Sequence, residues 1–388
     1  MQGENSDPIY LDHNATTPVA ESVRDAMVPW LGLQFGNPSS GHVFGRRAAE
    51  AVAHARSQVA ALIGASPEQI VFTGGGTEAD NLAVRRSTVA RRRVVTTSVE
   101  HPAVEEPARA LSADGWTWER LAVDSSGRVD LAAASSVLAE PAGLVSVILA
   151  QNETGVLQPV SEISALARAS AADVIVHSDG AQAVGKVPVD VAAMGVDLLT
   201  IVGHKLYGPC GIGALYIREP GLVRGWALGG GQEHGVRPGT EPTAMVVGLG
   251  AACRLAAHDL EVEGRRQAAL RDALQARLVD GIPRLRVTGH GADRLPNTLH
   301  VCVPGCVGAD VLRRAPELAA STGSACHADG EGGILHAMGV DAELARGALR
   351  LSLGRRTTAV DVERAGEALV RAWSEVVGGS SGPSSLEA

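Results

Sequence analysis

The feature that most constrains this chain is an alternation, begun near residue 46, of short apolar runs of strand length with longer stretches of helical periodicity. Helical spacing through Val59 to Ile63 gives way to the apolar run Ile70 to Thr73, and a second helical stretch starts at Thr77. The unit then repeats, with strand candidates at Val94 to Ser98, Leu144 to Ala150, Val174 to His177, Leu198 to Val202 and Gly213 to Ile217, and helical stretches such as Ile163 to Ala172 between several of them. Strands separated by helices cannot pair as tight hairpins, so the pattern predicts an α/β fold with a mostly parallel sheet and crossover helices. Such a sheet is buried on both faces. The composition agrees: 45% of residues are hydrophobic but only 3% aromatic, so Ala, Val and Leu must build the core.

After Gly248 the texture changes to a long charged helix, Arg254 to Leu278, then strands at Arg284 to Thr288 and Asn297 to Val303. A smaller domain is expected there, with a boundary near residue 255. The chain of 388 residues is long enough for two or three domains or subdomains. The net charge of −9 gives no attraction to polyphosphate backbones, and the compact basic run Arg91 to Arg93 reads as a solvated turn, so no direct nucleic-acid partner is expected. Five cysteines, at 210, 253, 302, 306 and 326, form no CxxC pair and point to a reducing, cytoplasmic compartment. Cys302 and Cys306 read as structural thiols rather than metal ligands. No apolar run approaches bilayer length and the start, Met1 to Pro8, is polar, so no membrane partner is expected; Gly378 to Ala388 reads as a flexible tail.

Ligands of open parallel sheets sit beyond the carboxyl ends of the strands. The residues that follow the apolar runs converge in chemistry: Gly74-Gly75-Gly76-Thr77, then Glu100-His101, Asn152, Asp179, and finally His204-Lys205. Gly74 to Thr77 lies between a strand and a helix, where free amides and the helix dipole can hold a phosphate. The same stretch also satisfies the dinucleotide pattern through Gly74, Gly76 and Ala79, with Glu100 available to a ribose, which keeps a nicotinamide-dependent dehydrogenase as a rival. The rival leaves Asp179 and Lys205 unexplained. Together they suit pyridoxal 5′-phosphate (PLP), whose pyridine nitrogen needs a carboxylate to stay protonated and whose aldehyde needs a lysine amine. Burial at a strand end would lower the lysine's pKa toward a usable nucleophile.

At these residues the chain resembles the class I (NifS/IscS-like) cysteine desulfurases and the selenocysteine lyases, both PLP enzymes of the aspartate-aminotransferase fold, fold type I. The resemblance runs from Leu11-Asp12-His13-Asn14-Ala15-Thr16-Thr17-Pro18 and Gly36-Asn37-Pro38-Ser39-Ser40 through Phe72 to Glu78, Glu100-His101, Asn152-Glu153-Thr154-Gly155 and the Asp179 and Lys205 segments. It continues through Arg237-Pro238-Gly239-Thr240, Gly323-Ser324-Ala325-Cys326 and Leu349 to Arg355. On that fold, residues 1–16 are an N-terminal segment joining the small domain, 17–254 the large PLP-binding domain, 255–377 the small domain with Cys326 and Arg350, and 378–388 the tail.

The resemblance implies that Lys205 holds the cofactor and moves protons, Asp179 pairs with the pyridinium, Gln182 meets the phenolic oxygen and His101 stacks on the ring. Gly76, Thr77 and His204 would hold the phosphate, with Thr240 reaching it from the other subunit of a homodimer. Asn152, Arg350 and Asn14 would bind the substrate, Asn152 and Arg350 fixing its carboxylate. Arg350 would use the planar fork that lysine lacks; strand alternation puts it and Ser352 opposite Leu349, Leu351 and Leu353. Cys326 would take the sulfur of L-cysteine as a persulfide, leaving L-alanine, and pass it to a sulfur-acceptor protein; the alternative is release of selenium from L-selenocysteine. Where desulfurases often carry a phosphate-binding serine, three positions before the lysine, this chain has Val202, and His234 stands where arginine is common.

Overall fold

A computed structural model of the chain describes residues 8–323 and 333–379. Among the described residues there are twelve strands: β1 (Ile9–Tyr10), β2 (Ile70–Thr73), β3 (Arg93–Thr97), β4 (Thr117–Leu121), β5 (Leu144–Ile148), β6 (Ile175–Asp179), β7 (Leu198–Val202), β8 (Gly213–Ile217), β9 (Arg286–Val287), β10 (Thr298–Cys302), β11 (Leu318–Ala319) and β12 (Ala348–Ser352). Seven of them form one sheet in the order β2-β8-β7-β6-β5-β3-β4. All neighbours in it are parallel except at β8, which runs against both β2 and β7. The expected mostly parallel α/β sheet is therefore present.

Alternate residues of its central strands enter different cores. Val95, Val145 and Leu199 pack under the helices Val43–Leu62 and Val160–Ser170, while Val94, Leu144 and Leu198 pack under Gly76–Arg86 and Pro102–Ala113. Both faces are covered, which is why these strands read as unbroken apolar runs. The edge strand β4, Thr-Trp-Glu-Arg-Leu, is half exposed and has no such run, so the sequence did not announce it.

A second, antiparallel sheet, β12-β10-β9, packs Leu299, Val301, Leu349 and Leu351 against the helix Ala359–Gly379. The N-terminal segment docks on this side: β1 pairs in parallel with β11, and Ser352 N donates to Leu11 O at 2.7 Å. A single helix, Thr243–Gly281, runs continuously through residue 255. Val246, Leu249 and Ala252 belong to the large core while Leu274 and Leu278 belong to the small one, so the change of core happens along one helix and no chain break marks it.

Arg93 corrects the reading of Arg91 to Arg93 as a solvated turn. It lies in β3, buried, with Nε 2.8 Å from Glu119 Oε1 and Nη2 2.8 Å from the Val137 carbonyl. Its guanidinium is buried because each of its sides finds an acceptor. Cys302 is fully buried in β10 and Cys306 half buried beyond it, and no cluster of three or more potential metal ligands exists among the described residues.

Candidate active site

β6 and β7 lie side by side in parallel, with Asp179 level with Thr200. Their carboxyl ends therefore deliver Asp179 and the turn Gly203–Lys205 to the same edge of the sheet. Asp179 is only 3% exposed, and its Oδ1 accepts from Ala181 N at 2.8 Å. Burial raises its carboxyl, opposed by the Ala181 hydrogen bond and by the charges of His101 and Lys205. Lys205 Nζ donates to the carbonyls of Asn14 at 2.5 Å and Ala15 at 2.6 Å. Burial, with Arg350 nearby, pushes its amine down to about 8, so about a tenth is unprotonated at pH 7, far more than for an ordinary lysine.

The helix Gly76–Arg86 follows β2 through Gly74 and Gly75 and has no side-chain N-cap, so its first-turn amides have no competing side chain. Gly74 N donates to Glu78 Oε2 at 2.6 Å, and Glu78 Oε1 is 3.1 Å from Arg237 Nε, which ties the loop down from outside. A β-carbon on Gly76 would lie 2.7 Å from Val202 Cγ2. The valine in the place of the expected serine thus fills the space beside the loop and offers it no hydroxyl. His204 sits at the same rim, with Nδ1 3.1 Å from Thr16 Oγ1, and burial holds it neutral at about 4.

His101 caps the helix Pro102–Ala113, its Nδ1 accepting from Ala103 N at 3.1 Å. That bond leaves the proton of the neutral ring on Nε2, and burial of one side of the ring lowers its pKa, against the pull of Asp179. Gln182 is buried, with Nε2 2.9 Å from the Asn14 carbonyl. Asn14 is the hub of this region. Its carbonyl accepts from Gln182 and Lys205, its Nδ2 donates to Thr298 Oγ1 at 2.8 Å and to the Asn152 carbonyl at 3.2 Å, and its Oδ1 accepts from Asn297 Nδ2 at 3.0 Å. At 1% exposure the side chain has no free donor for a substrate, and the geometry makes it a joint between the two sheets.

Arg350 lies in β12 on the face shared with Ser352, 7% exposed. Nη2 is 2.7 Å from Asp12 Oδ1, Nη1 is 3.3 Å from the Asn152 carbonyl, and the buried Nε has no partner. The site therefore gathers Lys205, Asp179, His101, Gln182, Asn152, Arg350, His204 and the Gly76–Thr77 loop. Thr240 is exposed on a separate loop beside Glu241 and the helix Thr243–Gly281. Cys326 and His327 lie outside the described residues, whereas Gly323 at the root of that segment sits so close to Glu153 that a β-carbon would fall 2.4 Å from its Oε2.

The class-V aminotransferase family model matches residues 9–365. The chain is 41% identical over 371 residues to the cysteine desulfurase of Mus musculus, covering 93% of this chain and 80% of that one. It is also 41% identical over 369 residues to cysteine desulfurase IscS of Neisseria meningitidis, covering 93% and 91%. The chain belongs to the cysteine desulfurases of the class-V aminotransferase family. Among solved structures, a NifS-like protein superposes with a TM-score of 0.87 at 32% identity, covering 94% of this chain and 98% of that one. SspA in complex with cysteine superposes with a TM-score of 0.77 at 31% identity, covering 89% and 98%.

This desulfurase family depends on PLP, and the residues present fit that group. The buried Asp179 carboxylate wants a cationic partner, the uncapped helix wants an anion, and Lys205 supplies an amine of lowered pKa. The dehydrogenase alternative loses its ribose ligand here. Glu100 is buried, its Oε1 takes up Thr97 Oγ1 and Ile148 N, both at 2.8 Å, and burial raises it to about 8. Sequence reasoning missed Asp12, which pairs with Arg350, and Lys186, whose Nζ is 2.9 Å from Gln182 Oε1. Asp12 lies inside a quoted motif, but a charge partner as distant in sequence as Arg350 leaves no local signal; Lys186 lies four residues beyond Gln182, outside those motifs.

Proposed function

We propose that this protein is a PLP-dependent cysteine desulfurase that converts L-cysteine to L-alanine and leaves the sulfur as a persulfide on Cys326 for transfer to an acceptor protein. The observation that carries this is the delivery of Asp179 and a partly deprotonated Lys205 to one sheet edge, within the reach of Arg350. When bound, PLP supplies an electron sink for chemistry at the substrate's α-carbon.

The residues divide the work by their chemistry. Lys205, its amine partly free, would hold the aldehyde and later carry a proton at Nζ. Asp179 would keep the ring nitrogen protonated, and the first-turn amides at Gly76 and Thr77, with His204, would take the phosphate. His101, its proton on Nε2, would cover the ring and assist proton transfer by offering that N–H as a hydrogen-bond donor. Arg350 Nε, a donor with no partner, and Asn152, whose Nδ2 points away from its bond with Gln151, suit a carboxylate.

A homodimer with Thr240 in the partner's site fits the exposure of Thr240 and of the large apolar side chains Leu33 (93%), Phe35 (65%) and Trp226 (62%), which a subunit contact would cover. A cytoplasmic location fits the free thiols Cys210, Cys253, Cys302 and Cys306. No described helix is long and apolar enough to cross a membrane.

The test is to mix purified holoenzyme with L-cysteine, then quantify alanine and weigh the peptide containing Cys326. Alanine with one added sulfur on Cys326, both lost in Cys326→Ser, supports the reading. Alanine formed equally well by Cys326→Ser would refute the persulfide, and a much faster reaction with L-selenocysteine that leaves Cys326 unmodified would favour a selenocysteine lyase.

A further inference from the structure

Lys186 takes no part in the scheme above, yet it lies against the wall of the site. It shares an enclosed cavity with Lys205, His13, Tyr207 and Asn297. Gly185, at φ +76°, turns the chain just before it, and a β-carbon there would fall 2.4 Å from Leu206 Cδ2, so the bend is set by packing. The bend brings Lys186 back over Gln182, with Nζ 2.9 Å from Gln182 Oε1 and 3.4 Å from Asn14 Oδ1.

We infer that Lys186 is a positioning residue that fixes the Gln182 amide with its nitrogen toward Lys205, so that Gln182 offers the bound cofactor a hydrogen-bond donor. Burial, with Lys205 and Arg350 nearby, pushes Lys186 down to about 7; its ammonium form, which prevails below that value, can only donate, so the group facing it is then the amide oxygen. The nitrogen then falls on the other side, 2.9 Å from the Asn14 carbonyl that also accepts from Lys205 Nζ. The Asn14 carbonyl, which can only accept, favours the same orientation from the other end, so loss of Lys186 removes one of the two bonds that hold the amide, and a flipped amide would set an oxygen against the cofactor's phenolic oxygen. The inference rests on the reading that Lys205 carries PLP. The titratable and charged groups around Lys186 are Lys205, His204 and Tyr207 on the lysine turn, His13 on the N-terminal segment, Arg350 on β12, Arg355 beyond it and Glu263 on the long helix.

The experiment titrates the visible absorbance of the bound cofactor against pH in wild-type holoenzyme, Lys186→Met, Gln182→Ala and the double variant. A donor on the phenolic oxygen stabilises its negative charge, so losing it makes the neighbouring proton harder to remove. Lys186→Met should raise the midpoint by at least about half a unit. The double variant should match Gln182→Ala, because Lys186 acts through the amide. An unchanged midpoint in Lys186→Met, or the same shift in both backgrounds, overturns the inference, the latter showing a charge acting through space. Should Lys186→Met fail to fold, Lys186→Gln, which can still donate to Gln182 Oε1, tests it from the other side: a wild-type midpoint supports the inference and a raised one contradicts it. Wild-type protein that takes up no PLP defeats the cofactor reading itself, whereas PLP uptake with an insensitive midpoint defeats this inference alone.

Discussion

At the carboxyl ends of β6 and β7 the site groups lean on the backbone: Asp179 on the Ala181 amide, and Lys205 on the Asn14 and Ala15 carbonyls. On β12 the arrangement differs, since Arg350 sits mid-strand and is held chiefly by the Asp12 side chain at 2.7 Å, with only a longer 3.3 Å contact to the Asn152 carbonyl and with Nε left over. Backbone partners survive substitution, and side-chain partners do not. The cofactor end is therefore fixed by the sheet itself, while the substrate end can be retuned by single changes. The segment from Asp12 to Thr17 serves both, because Asp12 holds Arg350, Asn14 bridges the sheets and Thr17 Oγ1 donates to the His204 carbonyl at 2.9 Å.

The largest effect is expected at the fixed end. Asp179→Asn removes a charge-assisted bond of about 1.5–3 kcal/mol, so alanine formation should slow by about tenfold to a hundredfold, and an unchanged rate would mean that another carboxylate serves the ring. Arg350→Lys keeps the charge but loses the fork, and kcat/KM for cysteine should fall about tenfold, chiefly through KM. A fall confined to kcat would place Arg350 away from the substrate. Asp12→Asn should act in the opposite direction: with its counter-charge removed, Arg350 is freer to meet a carboxylate, and KM should drop about threefold. A rise in KM would show instead that Asp12 orients the arginine.

The smallest expectation concerns pH. Because burial brings Lys205 down to about 8, the reactive free amine grows in as pH rises through that value, not through the ordinary lysine range. The rate of PLP uptake by apoprotein should rise with pH and level off above about 8 to 9; a rise that continues past about 10 would show an unperturbed lysine.

What the sequence disclosed follows from the same contrast. Groups at strand ends announce themselves, because an apolar run that stops at Asp179 or just before Lys205 marks both the element and its exit. The direction of β8 was not readable, since Gly213–Ile217 is equally apolar in either sense. Arg93 read as solvated because burial through tertiary acceptors, here Glu119 and two carbonyls, leaves no mark in the local pattern. The long helix was expected to start only at Arg254, where its charged texture begins, whereas it runs from Thr243 to Gly281 and passes from one core to the other. Asn14 read as a substrate contact on resemblance alone, and only its partners reveal a joint between the sheets.

Two half-buried lysines, Lys205 and Lys186, line one cavity and could compete for the same aldehyde, and Lys205, just beyond the end of β7, is the one expected to hold it. Borohydride reduction of the PLP-loaded protein, followed by peptide mapping by mass spectrometry, decides between them. A single pyridoxyl adduct on Lys205 is the expected result. An adduct on Lys186, or no adduct on a protein shown to be folded, would contradict it.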